Sequence, residues 1–463
     1  MSLCSLKVHI IHVGNMANKG TQALLKSDMS VIGDVFKGNV TFSVSTTDVE
    51  GVRRLIAPYN SVMPTTIDIP YERADFYVRR FGLERNSLRY KVFAFASLLY
   101  MFAQACLSIF SVFLAKAKLK PVYRGEILEH VKACDLVVSC SDENFKESAS
   151  MLPLNVYWIP TWWSLLVSRT WEILLAKSMR KPVVVFPNSI GPFRTRMGRM
   201  LSRTALDNCD FILVRDPISY GAVKTLGVRS PVILTSDTTL LFNSTHKSST
   251  DNCTSGLSDL NGIVGVSPGI YSHSLPEKRV HEYIEAHAKA LDGAIEQYGF
   301  SVVFLPHYVS GFSLDDLEVC KLILGKMKNV ERARIINCNT VEEYSSLIGQ
   351  MDMIISSKMH PAVLAASSFV PSVCVAYDYK QTGFFVSLGL GDCVVPLNEF
   401  SCKQLSTKID YVWTRRSEIR GLLKKRVPDL QKQIRESITQ AVGPFIELCV
   451  RGKQDTNSDL TGR

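Results

Sequence analysis

Short runs of apolar, β-branched residues alternate along the chain with longer stretches whose apolar positions recur at helical spacing, a pattern that predicts parallel βαβ units. In the first half the runs predict strands at Val8–Val13, Val40–Val44, Leu136–Ser139, Pro182–Pro187, Phe211–Arg215 and Val232–Leu234. Between Asn243 and Ser258 the sequence NSTHKSSTDNCTSGLS is poor in apolar residues and rich in Ser, Thr and Asn, which predicts an exposed linker. A second series follows at Ile263–Val266, Ser301–Leu305, Ala333–Ile336, Met353–Ser356 and Ser372–Ala376, with helical spacing over Glu277–Gly299 and Leu314–Met327. The fold class is therefore α/β, with one domain over 1–242, a linker over 243–258 and a second domain over 259–410. Basic helices broken at Pro428 are expected over 411–446, then a disordered tail over 447–463.

Composition narrows the class. The 463 residues are 46% hydrophobic and 21% charged, which excludes a mini-protein, a collagenous chain and extended disorder. Fifty-three Lys and Arg against 43 Asp and Glu leave a net charge of +10, an excess that suits phosphate-bearing ligands or an anionic membrane face without choosing between them. Twelve cysteines are scattered with no CxxC pair and no Cys/His cluster, a pattern that disfavours structural zinc or a disulfide framework and suits a reducing compartment. The opening MSLCSLKVHIIHVG lacks the basic and small-residue flanks of a signal peptide and reads as a first core strand of a cytoplasmic protein. The sequons at Asn39, Asn243 and Asn252 are then accidental. No metal, cofactor or nucleic-acid partner is expected.

One segment departs from this picture. From Val92 to Ala115 about 24 residues run without a charge, flanked by Arg89 and Lys91 on one side and Lys116, Lys118, Lys120 and Arg124 on the other. If the strands at Val8–Val13 and Leu136–Ser139 belong to one sheet, a single membrane crossing would separate them, so a spanning helix is disfavoured and stays a minority reading. The two main readings are a helix or helical hairpin lying in the surface of the inner membrane face with its basic ends on anionic lipid, and a buried or subunit-interface helix.

Several strand ends carry residues suited to chemistry. The first strand runs into VGNMANKGTQALL, where Asn15, Asn18, Lys19 and Gly20 form a turn before a helix, a favourable place for an anion although neither a dinucleotide fingerprint nor a P-loop is present. The loop FPNSIGPF offers Asn188 and Ser189, and Arg215 ends the strand FILVR, where its planar fork suits carboxylate or phosphate or a salt bridge to Asp216. In the second domain His307 follows a strand in FLPHY, and the stretch SSKMHPAVLAASSFVPSVCVAYDYKQTGFF sets Ser356, Ser357, Lys358 and His360 at one strand end, with Lys380 after the next. A fixed cation beside a titratable imidazole suits protonation of an anionic substrate.

Taken in order, NSIGPF, VRDPIS, SDTTLLF, LPH and the SSKMHP to LGL stretch resemble the polysaccharide pyruvyl transferase family, over most of the chain from Val8 to about Pro396. The resemblance implies two Rossmann-like domains facing across a cleft, as in B-type glycosyltransferases, with C-terminal helices returning to the first domain. It implies transfer of pyruvate from phosphoenolpyruvate to saccharide hydroxyls as a ketal, in cell-surface polysaccharide or glycolipid biosynthesis. The acceptor would be a saccharide, free or lipid-linked. Carried onto this sequence, His360 is the acid/base, with Lys358 and Arg215 as catalytic cations. Ser356, Ser357, His307 and Lys380 fall on the donor side, and Asn15, Asn18, Lys19, Gly20, Asn188 and Ser189 on the acceptor side.

The chain departs from the family pattern at Thr21, where an acidic residue is common, at Cys140–Glu143, where a glycine pair is usual, and at Lys358, which is more often arginine. Lysine loses bidentate geometry. Two other readings of the same architecture are a nucleotide-sugar glycosyltransferase and a non-catalytic polysaccharide assembly protein at the membrane.

Overall fold

The computed structural model describes residues 5–58, 60–66, 88–117, 119–120, 122–147, 161–242, 261–270, 277–309 and 315–461. The linker read over 243–258 lies outside them. Two compact units account for the chain: one holds Met1–Met16, Leu24–Thr235 and Ile434–Arg463, the other Ala17–Ala23 and Ser236–Gln433.

The first unit is a seven-stranded parallel sheet in the order β3-β2-β1-β4-β5-β6-β7. Its strands are β1 Ser5–Val13, β2 Asn39–Thr46, β3 Ser61–Pro64, β4 Leu136–Ser139, β5 Val183–Asn188, β6 Phe211–Val214 and β7 Val232–Leu234. Helices α1 Lys19–Phe36, α2 Val49–Leu55, α3 Leu88–Lys116, α4 Gly125–Ala133, α5 Thr161–Ser178, α6 Arg196–Leu206 and α7 Pro217–Leu226 connect them. Central strands read as continuous apolar runs because both faces are covered; Ile11, Val137, Val183, Val185, Ile212 and Val214 all enter one core.

The second unit is a six-stranded parallel sheet, β10-β9-β8-β11-β12-β13. It is built from β8 Ile263–Ser267, β9 Ser301–Phe304, β10 Ala333–Ile335, β11 Met353–Ser356, β12 Ser372–Ala376 and β13 Val394–Pro396. Helices α8 Glu277–Tyr298, α9 Asp316–Leu324, α10 Val341–Gly349, α11 Met359–Ser367, α12 Tyr379–Ser387 and α13 Cys402–Thr414 pack with it. The short edge strands β3 and β13, each ending in proline, are absent from the sequence reading, because a proline within a short run argues against a strand and is tolerated only at a sheet edge.

The last helix, α14, runs from Arg416 to Thr461 and differs from expectation in two ways. Pro428 does not break it: the missing N–H removes one intrahelical bond, while Val427, Leu430, Ile434 and Ile438 bury the surrounding face. The helix also continues through the segment read as a tail, where no proline or glycine falls between Lys453 and Thr461.

The charge-free segment forms α3, 29 residues long, with its polarity inverted. Gln104, Ser108 and Ser111, spaced to share one helix face, are buried. Tyr123 donates to Gln104 at 2.6 Å, Trp171 Nε1 to Ser108 at 3.1 Å and the Tyr123 N–H to Ser111 at 2.8 Å. On the opposite face Leu99, Phe102, Ile109, Phe110 and Phe113 are exposed, Phe102 at 71%. Among the described residues no helix is long and apolar enough to cross a membrane.

Candidate functional site

In an open parallel sheet the ligand crevice lies outside the carboxyl ends of the strands where their order reverses. In the second unit that point is between β8 and β11. Ser356 closes β11 and ties the following turn, donating to the Lys358 carbonyl at 2.6 Å and accepting the Lys358 N–H at 3.0 Å. This sets His360 in the first turn of α11. Ser357 shares a 2.5 Å hydrogen bond with the Tyr283 hydroxyl, and its carbonyl accepts Gln381 Nε2 at 3.1 Å, so the β11 end is braced from α8 and α12. Lys380, buried in the first turn of α12, lies 5.7 Å from the Tyr377 ring centre.

Lys358 is not an isolated cation. Its ammonium sits 2.9 Å from the buried Asp316 carboxylate and 5.6 Å from the centre of the Tyr308 ring. Asp316 also accepts the N–H groups of Tyr308 at 2.8 Å and His307 at 3.2 Å, which fixes the turn after β9. Burial raises the Asp316 pKa above its ordinary 3.8, against the pull of Lys358 and those two N–H groups. A side chain at position 269 would meet Lys358 Cε at 2.3 Å, so Gly269 makes room for the lysine stem.

His307 is buried, and its Nε2 accepts the Gly20 N–H at 3.2 Å. The neutral ring therefore carries its proton on Nδ1, which has no partner among the described residues. Burial, then His360, Lys358 and Lys19, hold its pKa well below 6.5. The His307 and His360 rings face one another at 6.1 Å and 21°.

Asn18, Lys19 and Gly20, expected on the acceptor side of the first domain, belong to the second unit and join this cluster. Asn18 Oδ1 accepts the Gly20 N–H at 2.9 Å, and Lys19 donates its ammonium to the Pro306 carbonyl at 3.2 Å and its N–H to the His307 carbonyl at 3.4 Å. Burial lowers the Lys19 pKa. A Cβ on Gly20 would lie 2.2 Å from His360 Nδ1, so glycine is what lets the backbone lie against the imidazole. Gly20→Ala is expected to displace the ring and to cost about 1–3 kcal/mol of stability by overpacking, measured by urea denaturation.

Asn15, Asn188, Ser189 and Arg215 lie in the first unit. Asn15 is exposed. Asn188 is fully buried with both ends of its amide engaged, accepting the Asn144 N–H at 2.8 Å and donating to the Cys140 carbonyl at 3.0 Å, so it braces two strand ends rather than facing a ligand. Ser189 accepts Arg215 Nε at 2.8 Å and donates to Asp216 at 3.2 Å, which holds the buried arginine in place.

The sequence reading misses Asp316, Gly269 and Tyr283. In SLDDLEV, Asp315 caps α9 by accepting the N–H groups of Leu317 and Glu318. Nothing local distinguishes this cap from its neighbour Asp316, which turns inward to Lys358.

Among solved structures, a putative UDP-N-acetylglucosamine 2-epimerase from Listeria monocytogenes matches 95% of this chain and 96% of its own at 12% identity, with a TM-score of 0.56. HepE from Anabaena, in complex with UDP, matches 94% and 100% at 12% identity and 0.54. UGT73P12 of Glycyrrhiza uralensis matches 99% and 100% at 10% and 0.54. At such identities the likeness is one of fold, that of B-type glycosyltransferases and related epimerases. The amylovoran biosynthesis protein AmsJ of Erwinia amylovora is 20% identical over 282 residues, 58% of this chain and 68% of its own length. The family model for polysaccharide pyruvyl transferase matches residues 60–379, a narrower span than the motifs suggest, leaving out the Asn15–Gly20 turn and Lys380. Since that span takes in Arg215, His307, Lys358 and His360 and more than half of the chain, the protein belongs to the polysaccharide pyruvyl transferase family.

Proposed function

We propose that the protein transfers the pyruvyl group of phosphoenolpyruvate to two hydroxyls of a saccharide in polysaccharide biosynthesis. The observation that carries this reading is the His360 imidazole at the β8/β11 strand ends, beside the Lys358–Asp316 pair and backed by Gly20 and His307. His360 gives a proton to the methylene carbon of the donor, and the adjacent carbon becomes electrophilic. One saccharide hydroxyl attacks that carbon and phosphate leaves; a second hydroxyl closes the cyclic ketal. Of the two protons lost by the hydroxyls, one restores the acid and the other leaves on the phosphate. The unpartnered His307 N–H and the Lys358 ammonium are suited to the donor's phosphate or carboxylate oxygens. Arg215 is a further anion-binding group of the first unit.

The reading is tested by incubating the protein with labelled phosphoenolpyruvate and lipid-linked saccharides and analysing the products by mass spectrometry. One phosphate should be released for each ketal formed. Thermal shifts supply an independent check, since a ligand that binds only the folded state raises the melting temperature. Phosphoenolpyruvate should stabilise and UDP-sugars should not; the reverse would make the protein a nucleotide-sugar glycosyltransferase.

The inverted polarity of α3 supports a membrane-bound acceptor. With Gln104, Ser108 and Ser111 satisfied inside, the apolar face stays exposed among the described residues, and Lys116 and Lys120 lie exposed at its end. On this reading α3 lies in the surface of an anionic bilayer. The triple change Phe102→Ser, Phe110→Ser, Phe113→Ser should weaken sedimentation with phosphatidylglycerol vesicles by at least about tenfold, since each buried phenylalanine contributes about 1.5–3 kcal/mol. Unchanged sedimentation would leave α3 as a subunit interface.

A further inference from the structure

The first unit has its own point of strand reversal, between β1 and β4, and the residues there take no part in the site described above. His12, near the end of β1, has a φ of 68°, in the left-handed region that a residue with a side chain seldom occupies. Such backbone persists where the surroundings impose it, and it is concentrated at functional sites. Here the surroundings are specific. Ser139, at the end of β4, lies 2.8 Å from His12 Nδ1, and Nε2 donates to the Arg169 carbonyl at 3.1 Å. The ring is thus fully used, as a neutral support for α5.

That helix brings two charged side chains to the strand ends. Glu172 accepts the Thr66 N–H on one oxygen at 3.3 Å, while its other oxygen lies 3.6 Å from His12 Nε2 and accepts no hydrogen bond among the described residues. Arg169 is only 5% exposed, and its Nε and Nη1 have no acceptor among the described residues. Two buried guanidinium nitrogens without an acceptor, with Glu172 nearby acting on the group through its charge, are what a satisfied core excludes. Its planar fork matches two oxygens of a carboxylate or a phosphate. The unpartnered guanidinium nitrogens and the topology are independent observations, and they mark the same place.

We propose that the β1/β4 end of the first unit is an oxyanion site, in which Arg169 grips a carboxylate or phosphate group and Glu172 accepts from a neighbouring hydroxyl. Resting on the pyruvyl-transfer reading, this makes the saccharide acceptor an anionic one, a sugar acid or a sugar phosphate. The proposal concerns binding alone and needs no donor.

Calorimetry on the full-length protein without phosphoenolpyruvate tests it, using glucose 1-phosphate, glucuronate and glucose as probes. The phosphate or the acid should bind at least about tenfold more tightly than glucose, reflecting charge-assisted hydrogen bonds. Preference between the two anions names the group. Arg169→Lys keeps the charge but loses the fork and should weaken the anion about tenfold or more. Glu172→Gln removes a competing negative charge and should strengthen the anion, a change that a purely structural glutamate would not produce. This second variant decides the matter if Arg169→Lys melts early. Equal binding of all three probes, or anion binding unaltered in both folded variants, overturns the site. An absence of pyruvyl transfer would leave these measurements untouched, so the two ideas fail separately.

Discussion

His360→Gln is expected to lower pyruvyl transfer by about 100- to 10,000-fold, the range that a positioned acid or base contributes. Glutamine fills similar space and keeps a hydrogen-bonding end, so its packing against Gly20 and His307 should persist. The diagnostic result is therefore a split: turnover lost, with the thermal shift by phosphoenolpyruvate and the urea midpoint close to the parent. Parent-like turnover would remove His360 from the mechanism. A lost thermal shift would assign the ring to binding the donor rather than protonating it.

Lys358→Met should produce the largest loss of stability, about 3–5 kcal/mol near neutral pH, because it leaves Asp316 buried without its counter-charge. The loss depends on pH in a direction fixed by Asp316. Its folded-state pKa is already raised above 3.8 by burial, and removal of the ammonium raises it further. Between the unfolded and folded values the native state holds more protons than the unfolded chain, so stability falls as pH rises through that window and returns as pH is lowered. Urea midpoints of the variant should approach the parent's towards acid. A uniform loss at every pH would show that the lysine stem, wedged over Gly269, matters more than its charge. The double variant Lys358→Met, Asp316→Asn should recover part of the loss, since no buried charge then remains.

Most central strands were legible, because parallel strands covered on both faces leave uninterrupted apolar runs, as at Leu136–Ser139 and Ser372–Ala376. The strand-end positions of His307, Lys358 and His360 were legible for the same reason. What pairs with each of them was not. The partner of Lys358 is 42 positions away by sequence number, at Asp316, behind a residue whose capping role hides it. The turn after β1 gave no sign that it would join residues near 307 and 360, since nothing local records a contact nearly 290 positions apart. In α3 the lack of charge was plain, yet the inward direction of Gln104, Ser108 and Ser111 depends on Tyr123 and Trp171, which no periodicity names.

The division of the chain has a consequence for its synthesis. It passes from one unit to the other after Met16, Ala23, Thr235 and Gln433, four times in all. The second sheet cannot complete its site from its own contiguous stretch, for Gly20 leaves the ribosome long before His360 and must wait for it. The first sheet has all its strands by residue 234, yet lacks Phe445, which packs on Phe211, and Arg435, which pairs with Asp34, until translation is nearly over. Neither unit is therefore a single contiguous stretch of the kind that matures domain by domain. A stop codon before Phe445 would leave the first unit without that packing on Phe211.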